Sequence, residues 1–296
     1  LIRPKLLTVS GGGDVYIGAQ EFRTPGQYGW IVPLAITRLH ICCIGAGGFN
    51  DYGVSGQYHG GGGGGLAWAN DIEVTPGEAL IIQVGRPQID NSTNQGDSIV
   101  GKYDEATAGF ASRLITAHGG ERLNPGGFDL HGNQGEGHFG GQGSDAGLVQ
   151  NGETWGGAGG GAGGYLGAGG AGAITLDGSG TNNGGNGGSA AGGFAYWSNR
   201  PGQSPGFKQG AGGGGVGFKG QGASGQAVNW PPQDTKPPLR GNAGSGGTLE
   251  SFGGGGACLY NRSLESAPDY ARPGDGAVRI IWGIQYSYPN NADVSQ

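Results

Sequence analysis

The chain has 296 residues, a formal net charge of −6 and 75 glycines, about a quarter of its length where an average protein has roughly 7%. Charged residues are 13%, and the 6 Trp, 11 Tyr and 9 Phe are too many large apolar side chains for a disordered chain; glycine off any strict third-position repeat, with only 15 prolines, excludes collagen. The acidic balance without a basic run argues against nucleic acid as a partner, and no apolar run approaches the length for membrane insertion.

In chain order, "LIRPKLLTVS" at 1–10 has neither the core nor the cleavage site of a signal peptide. The sequence begins at Leu1 and has no Met, as in a processed product or a part of a longer protein. "ITRLHICCI" at 36–44 reads as a strand covered on both faces. Ile36, Arg38, His40, Cys42 and Ile44 alternate with Thr37, Leu39, Ile41 and Cys43. Cys42 and Cys43 therefore point to opposite faces and share no pocket. With Cys258 they make an odd count, read as small buried apolar side chains rather than disulfides. "DIEVTPGEALIIQVG" at 71–85 reads as strand, Pro-Gly turn, strand.

From about 119 to 256 glycine tracts recur, at 156–164, 167–172, 184–188, 212–215, 244–247 and 253–256, with an early one at 60–65. No helical periodicity of useful length occurs, and glycine at this density opposes an α-helix. Such tracts suit polyproline-II-like helices, with three residues per turn and no internal hydrogen bonds. Packed side by side, these helices bond to one another through outward N–H and C=O groups, and glycine must stand wherever two of them touch. In "GGAGGGAGGYLGAGGAGA" at 156–173, Ala162, Tyr165, Ala168 and Ala171 fall on one stripe, expected on the exposed edge of a single bundle helix. Asn183, Asn186 and Ser189 repeat the spacing. Ordering glycine costs about 1–2 kcal/mol per residue and a hydrogen bond returns only about 0.5–1.5. The bundle must therefore be nearly saturated with hydrogen bonds and fixed at one end. "GAVRIIWG" at 276–283 supplies a last strand, by which the chain returns to its starting platform.

The expected fold is therefore mainly β and irregular, a small antiparallel β platform plus a glycine-rich bundle of polyglycine-II helices, with almost no α-helix. Its parts are a platform at 1–118 joined by a returning strand at 274–288, a bundle with aromatic loops at 119–273, and a polar tail at 289–296.

"FRTPGQYGWIVPLAITRLHICCIGAGG", "GGGGGGLAWANDIEVTPGEALIIQVG" and "GAVRIIWG", in that order, resemble glycine-rich bacteriophage tail proteins. The resemblance covers the platform segments and, in style, the glycine region. The most familiar members of that family are tail-fibre tip adhesins, which this chain resembles and which place polyglycine-II helices in a sandwich with variable loops at the far end. It implies a virion or otherwise extracellular protein made in the host cytoplasm. It also implies as partners a bacterial surface receptor, either an outer-membrane protein or a glycan, and other fibre or virion subunits. The amino-terminal β-like part is longer here than in the enterobacterial adhesins.

Motifs for chemistry are weak. "GEGHFG" at 135–140 and "GVGFKG" at 215–220 match a dinucleotide fingerprint but lack the strand-to-helix context that gives it a mechanism. His118, His131 and His138, with Asp129 and Glu136, have no standard metal spacing and read as loop or edge histidines. Glu121, Asp129, Glu136 and Asp145 are acids scattered over polar loops rather than a hydrolytic pair. No catalytic residue, metal ligand or cofactor is expected. Between the tracts lie aromatics with Asn, Arg and Ser, the side chains of recognition loops. The candidate receptor-binding residues are Tyr52, Tyr58, Tyr196, Trp197, Asn199, Arg200, Asn229, Trp230, Tyr260, Arg262 and Tyr270. The leading reading is multivalent, non-catalytic attachment. A glycine-rich filament whose aromatics make subunit contacts is the alternative, and an ice-binding protein would need a flat, regular Thr or Ala face.

Overall fold

The computed structural model describes residues 7–9, 15–49, 59–87, 95–143, 147–148, 154–155, 157–172, 207–208, 212–220, 252–255, 273–283, 285–290 and 292. Regular structure among them is all β: β1 (Leu7–Val9), β2 (Val15–Phe22), β3 (Gly26–Ile31), β4 (Arg38–Ile44), β5 (Leu66–Glu73), β6 (Ala79–Val84), β7 (Ser98–Asp104), β8 (Gly109–Ala117), β9 (Phe128–Asp129), β10 (Gly135–His138), β11 (Gly147–Leu148), β12 (Thr154–Trp155), β13 (Phe207–Lys208) and β14 (Ala277–Trp282). None of the described residues forms a helix long and apolar enough to cross a membrane.

Two antiparallel sheets make the platform, one in the order β1-β2-β14-β4-β5-β10 and one in the order β3-β6-β7-β8-β9. A third, short sheet joins β11, β12 and β13. The returning strand β14 is central, with Ile280 opposite Gln20 of β2 on one side and Ile41 of β4 on the other. β4 is buried on both faces, as its sequence requires. Leu39, Ile41 and Cys43 join Trp30, Leu80 and Ile82 of the other sheet in the core between the layers. Cys42 and Ile44 lie in a second core on the opposite face. Ile36, ahead of the strand, escapes the alternation and enters the inner core. Cys42 and Cys43 are both free thiols.

The Pro-Gly turn forms, with Glu78 N–H donating to Thr75 O at 2.9 Å and Gly77 at φ +81°. This is the left-handed third position that a type II turn reserves for glycine. Its strands belong to different sheets, so the turn carries the chain between layers rather than closing a hairpin.

At one end of the sandwich the strands run straight on into glycine tracts. β4 continues into 45–49, and β8 into 118–121. Tracts 60–65, 123–127 and 273–276 lead into β5, β9 and β14, while β10 leads into 139–143. Each tract changes partner at every residue and returns to the same partner at every third. Gly45 and Gly48 donate to Gly65 and Gly62, Ala46 donates to Gly96, and Gly47 to Gly274, all at 2.7–2.9 Å. Period three is the signature of polyglycine-II packing.

The centre of the array is the early tract, 60–65. Gly62 bonds Glu121 and Gly48, Gly63 bonds Gly141 and Gly126, and Gly64 bonds Gly253 and Gly163. Three consecutive residues thus reach six tracts. A Cβ placed on Gly63 would fall 1.8 Å from Gly161 O, and one on Gly62 1.9 Å from Asn124 O. Each Cα–H points at a carbonyl, so Cα–H···O contacts supplement the ladder.

The tract 156–173 is ordered where described, but it is not one helix. Gly161 donates to Gly170 and Gly164 to Gly167, so 157–164 and 167–172 lie antiparallel about a turn at Tyr165. The expected exposed stripe is split accordingly. Ala168 and Ala171 are exposed, whereas Ala162 and Tyr165 are buried against the six-stranded sheet. At the turn the tract meets the sheet, and a large ring there fills the seam between them. Tyr165 Oη donates to Gly217 O at 3.0 Å and stands 3.2 Å from Cys42 Sγ. Its one proton goes to the carbonyl, so the thiol is the donor to it. Tyr165 also stacks on Tyr288 at 5.9 Å.

Near the carboxy-terminal end, Tyr288 and Ala292 are packed into the second core. Asn70 holds Tyr288 by both backbone groups, at 2.8 and 2.9 Å. Ala292 is buried, and its carbonyl accepts from the buried Arg279 guanidinium, which lies 3.1 Å from Glu21. A buried arginine needs such acceptors, and here they tie Ala292 to the second core.

Gly63→Val should destabilise the chain by about 4 kcal/mol or more, because backbone rather than a side-chain tip blocks the new methyls; Ala168→Ser should leave the thermal midpoint unchanged. Circular-dichroism melts check both. Burial pushes the Cys42 thiol up to about 12, so native protein should resist iodoacetamide at that residue. Tyr165→Phe, which strips Gly217 O of its donor, should cost about 1–3 kcal/mol in urea unfolding.

Candidate functional site

The register of the tracts defines two ends of the array. Gly45, Gly65 and His118 lie level beside the sheets, and Gly48, Gly62 and Glu121 lie level at the far end. The other tracts fall into the same frame. Gly143 bonds Leu123, which bonds Gly60, and Gly172 bonds Gln142. Gly255 bonds Gly160, and Gly254 bonds Gly274. The far end is thus a cluster of chain exits. The chain leaves there at Phe49 and returns at His59, leaves at Gly172 for β13, and leaves at Gly255 to return at Pro273.

All eleven candidate receptor-binding residues lie outside the described residues; their points of departure do not. Tyr52 and Tyr58 belong to 50–58, Tyr196, Trp197, Asn199 and Arg200 to 173–206, and Tyr260, Arg262 and Tyr270 to 256–272. These three segments all root at the far end. Asn229 and Trp230 belong to 221–251, which roots elsewhere. Its flanks, Phe218 and Phe252, pack on each other at 4.8 Å over the six-stranded sheet.

One inter-tract turn at the far end is fully described, and no local pattern signals its form. Glu121 N–H donates to Asn124 O at 2.9 Å, and Asn124 N–H to Arg122 O at 2.7 Å. Leu123 sits between them at φ +62°. This is a γ-turn with positive φ, a strained form. Hydrogen bonds to tracts 60–65 and 139–143 hold it.

The described histidines and acids do not converge, and Asp145 lies outside the described residues. His131 bonds Thr116 at 2.9 Å and pairs with Asp129 at 3.5 Å, while His138 pairs with Glu136 at 3.5 Å. Among the described residues no group of three or more His, Cys, Asp or Glu could hold a metal ion. "GEGHFG" contains β10, paired to β5, and in "GVGFKG" Val216 bridges to Phe252. Neither opens a helix. The partner of His118 is Asp97, distant in sequence and identifiable only once β7 and β8 are paired. His118 Nδ1 lies 3.0 Å from one carboxylate oxygen, and the other accepts from Gly119 N–H at 3.0 Å. The hydrogen bond to Asp97 raises the His118 pKa. Partial burial opposes it, the charges of Asp97 and Asp129 add to the rise, and Arg113 opposes it.

The chain matches no protein-family model and no curated protein.

Stability from a raised histidine is complete below its unfolded pKa, roughly 6.5, and is lost as pH rises through the folded value. The melting advantage of the wild type over His118→Gln should therefore be largest at about pH 6 and shrink by about pH 9. A difference that grows with pH would contradict the ion pair.

Proposed function

We propose that the chain is a virion tail-fibre adhesin that attaches to a bacterial surface through segments carried at the far end of the glycine array. The single observation that supports this most is the common root of segments 50–58, 173–206 and 256–272, set on a scaffold of glycine tracts cross-bonded through their backbones. Aromatic and polar loops on a rigid base lose little entropy on binding. Attachment is non-catalytic, with affinity multiplied by several copies on one particle. Arg200 and Arg262 supply hydrogen-bond donors, and the tyrosines and Trp197 supply amphipathic contact area. The receptor is an outer-membrane protein or a surface glycan, and other fibre subunits carry the platform.

Phe49 and His59 flank bonded tracts, as do Gly255 and Pro273, so a short Gly-Ser linker can close either gap. Replacing 50–58 and 256–272 by such linkers should leave the melting midpoint within a few degrees, about 1 kcal/mol, and abolish binding of the labelled chain to host cells. Replacing 221–251 in the same way should spare cell binding. Cell binding that survives loss of the far-end segments, with self-association lost instead, would replace the adhesin by a filament subunit.

A further inference from the structure

The flank where the five-stranded sheet meets the array carries a second feature that the far-end segments do not share. Phe139, the first residue past β10, is 55% exposed although it is a large apolar ring. Its edge is held by Phe128 of β9, with centroids 5.6 Å apart and planes at 61°. Between Phe139 and His118 the floor is Gly127. A Cβ on Gly127 would lie 3.1 Å from Phe139 Cε1 and 3.9 Å from His118 Cδ2, so glycine keeps the space between the two rings open. Gly127 O accepts from His118 N–H at 2.8 Å, which fixes the floor to the wall.

The His118 imidazole is fixed as well. Its Nδ1 is taken by Asp97, whose other oxygen is taken by Gly119 N–H. The side chain is 42% exposed; with Nδ1–H donating to the carboxylate, Nε2 accepts in the neutral imidazole and donates in the imidazolium. Asp129, next to Phe128, has a 55% exposed side chain; one oxygen accepts from His131 N–H at 2.7 Å, and the other lies 3.5 Å from His131 Nδ1 and keeps a second lone pair for a ligand.

We propose that this flank is a saccharide-binding site, with the Phe139 ring as the stacking surface and His118 and Asp129 as the polar rim. A pyranose presents a flat face of C–H groups, suited to an exposed phenyl, and hydroxyls at its edge that both donate and accept. The site offers one such ring, one oriented imidazole nitrogen, one carboxylate and a floor without side chains. Its carboxylates, Asp97 and Asp129, act on the His118 imidazole, with Arg113 the further charge, and Asp129 also faces His131. That balance favours neutral sugars over acidic ones. The fixed imidazole and glycine floor are preorganised, so little ordering is lost on binding. The site stands on its own geometry and does not depend on the far-end segments.

The test uses the full chain against immobilised neutral hexose and N-acetylhexosamine oligosaccharides, with sialylated oligosaccharides alongside. The wild type should bind at least one neutral oligosaccharide more tightly than the sialylated ones. Phe139→Ala should weaken that binding about tenfold or more, and Phe139→Trp should preserve it. Neither substitution should move the melting midpoint, which separates lost binding from lost folding. The chain with linkers at 50–58 and 256–272 should bind the same sugar as the wild type, so failure of the adhesin reading and failure of this one are distinguishable. No binding to any neutral oligosaccharide, or equal binding by Phe139→Ala, would overturn the proposal.

Discussion

The structure depends on a hydrogen-bond geometry that, at its centre, only glycine admits. Around Gly62, Gly63 and Gly64, successive N–H and C=O groups turn by a third of a revolution and meet six neighbouring tracts. In a β-sheet a residue has at most two neighbours in the ladder. Here every residue changes partner, so the array is a two-dimensional lattice in cross-section. It can exist only where no Cβ intervenes between backbones. Glycine's large ordering cost is offset by saturation of its backbone groups, a condition met best at the centre of the array.

A lattice without side chains cannot close itself against water or set its own register. The platform does both. Six tracts are continuous with platform strands, so sheet pairing sets the height at which each of these begins, and β14 between β2 and β4 locks the last to the first. Where tracts turn back toward the sheet, large side chains reappear: Tyr165, Val216, Phe218 and Phe252 cover Cys42, Ile44 and Leu66. Arg279 and Asn70 hold the terminal segment in the same layer. The second core is thus the joint between two kinds of secondary structure.

The same lattice explains where recognition chemistry can lie. The interior of the array has no functional groups to offer, so contacts must come from segments leaving its far end or from side chains on its flanks. The proposed receptor segments and the proposed saccharide flank take these two positions. They differ in physical kind: the first joins segments remote in sequence, the second surrounds a single exposed ring.

Sequence alone determined much of this. Composition and the three-residue spacing implied polyglycine-II packing, the alternation in 36–44 implied a strand buried on both faces, and "GAVRIIWG" implied a returning strand. These are local properties, set by what each residue does to its own backbone or to its two faces. The tertiary structure decided the rest. The early tract 60–65 became the centre, since nothing in a run of glycines states how many neighbours it will have. Tyr165 went inward because a turn at the sheet reversed the tract, although the spacing of Ala162, Tyr165, Ala168 and Ala171 was unbroken. His118 found Asp97, and Arg279 found the carbonyl of Ala292, across distances no local pattern spans. Glycine records in the sequence that a close approach occurs, but it has no side chain to record what is approached.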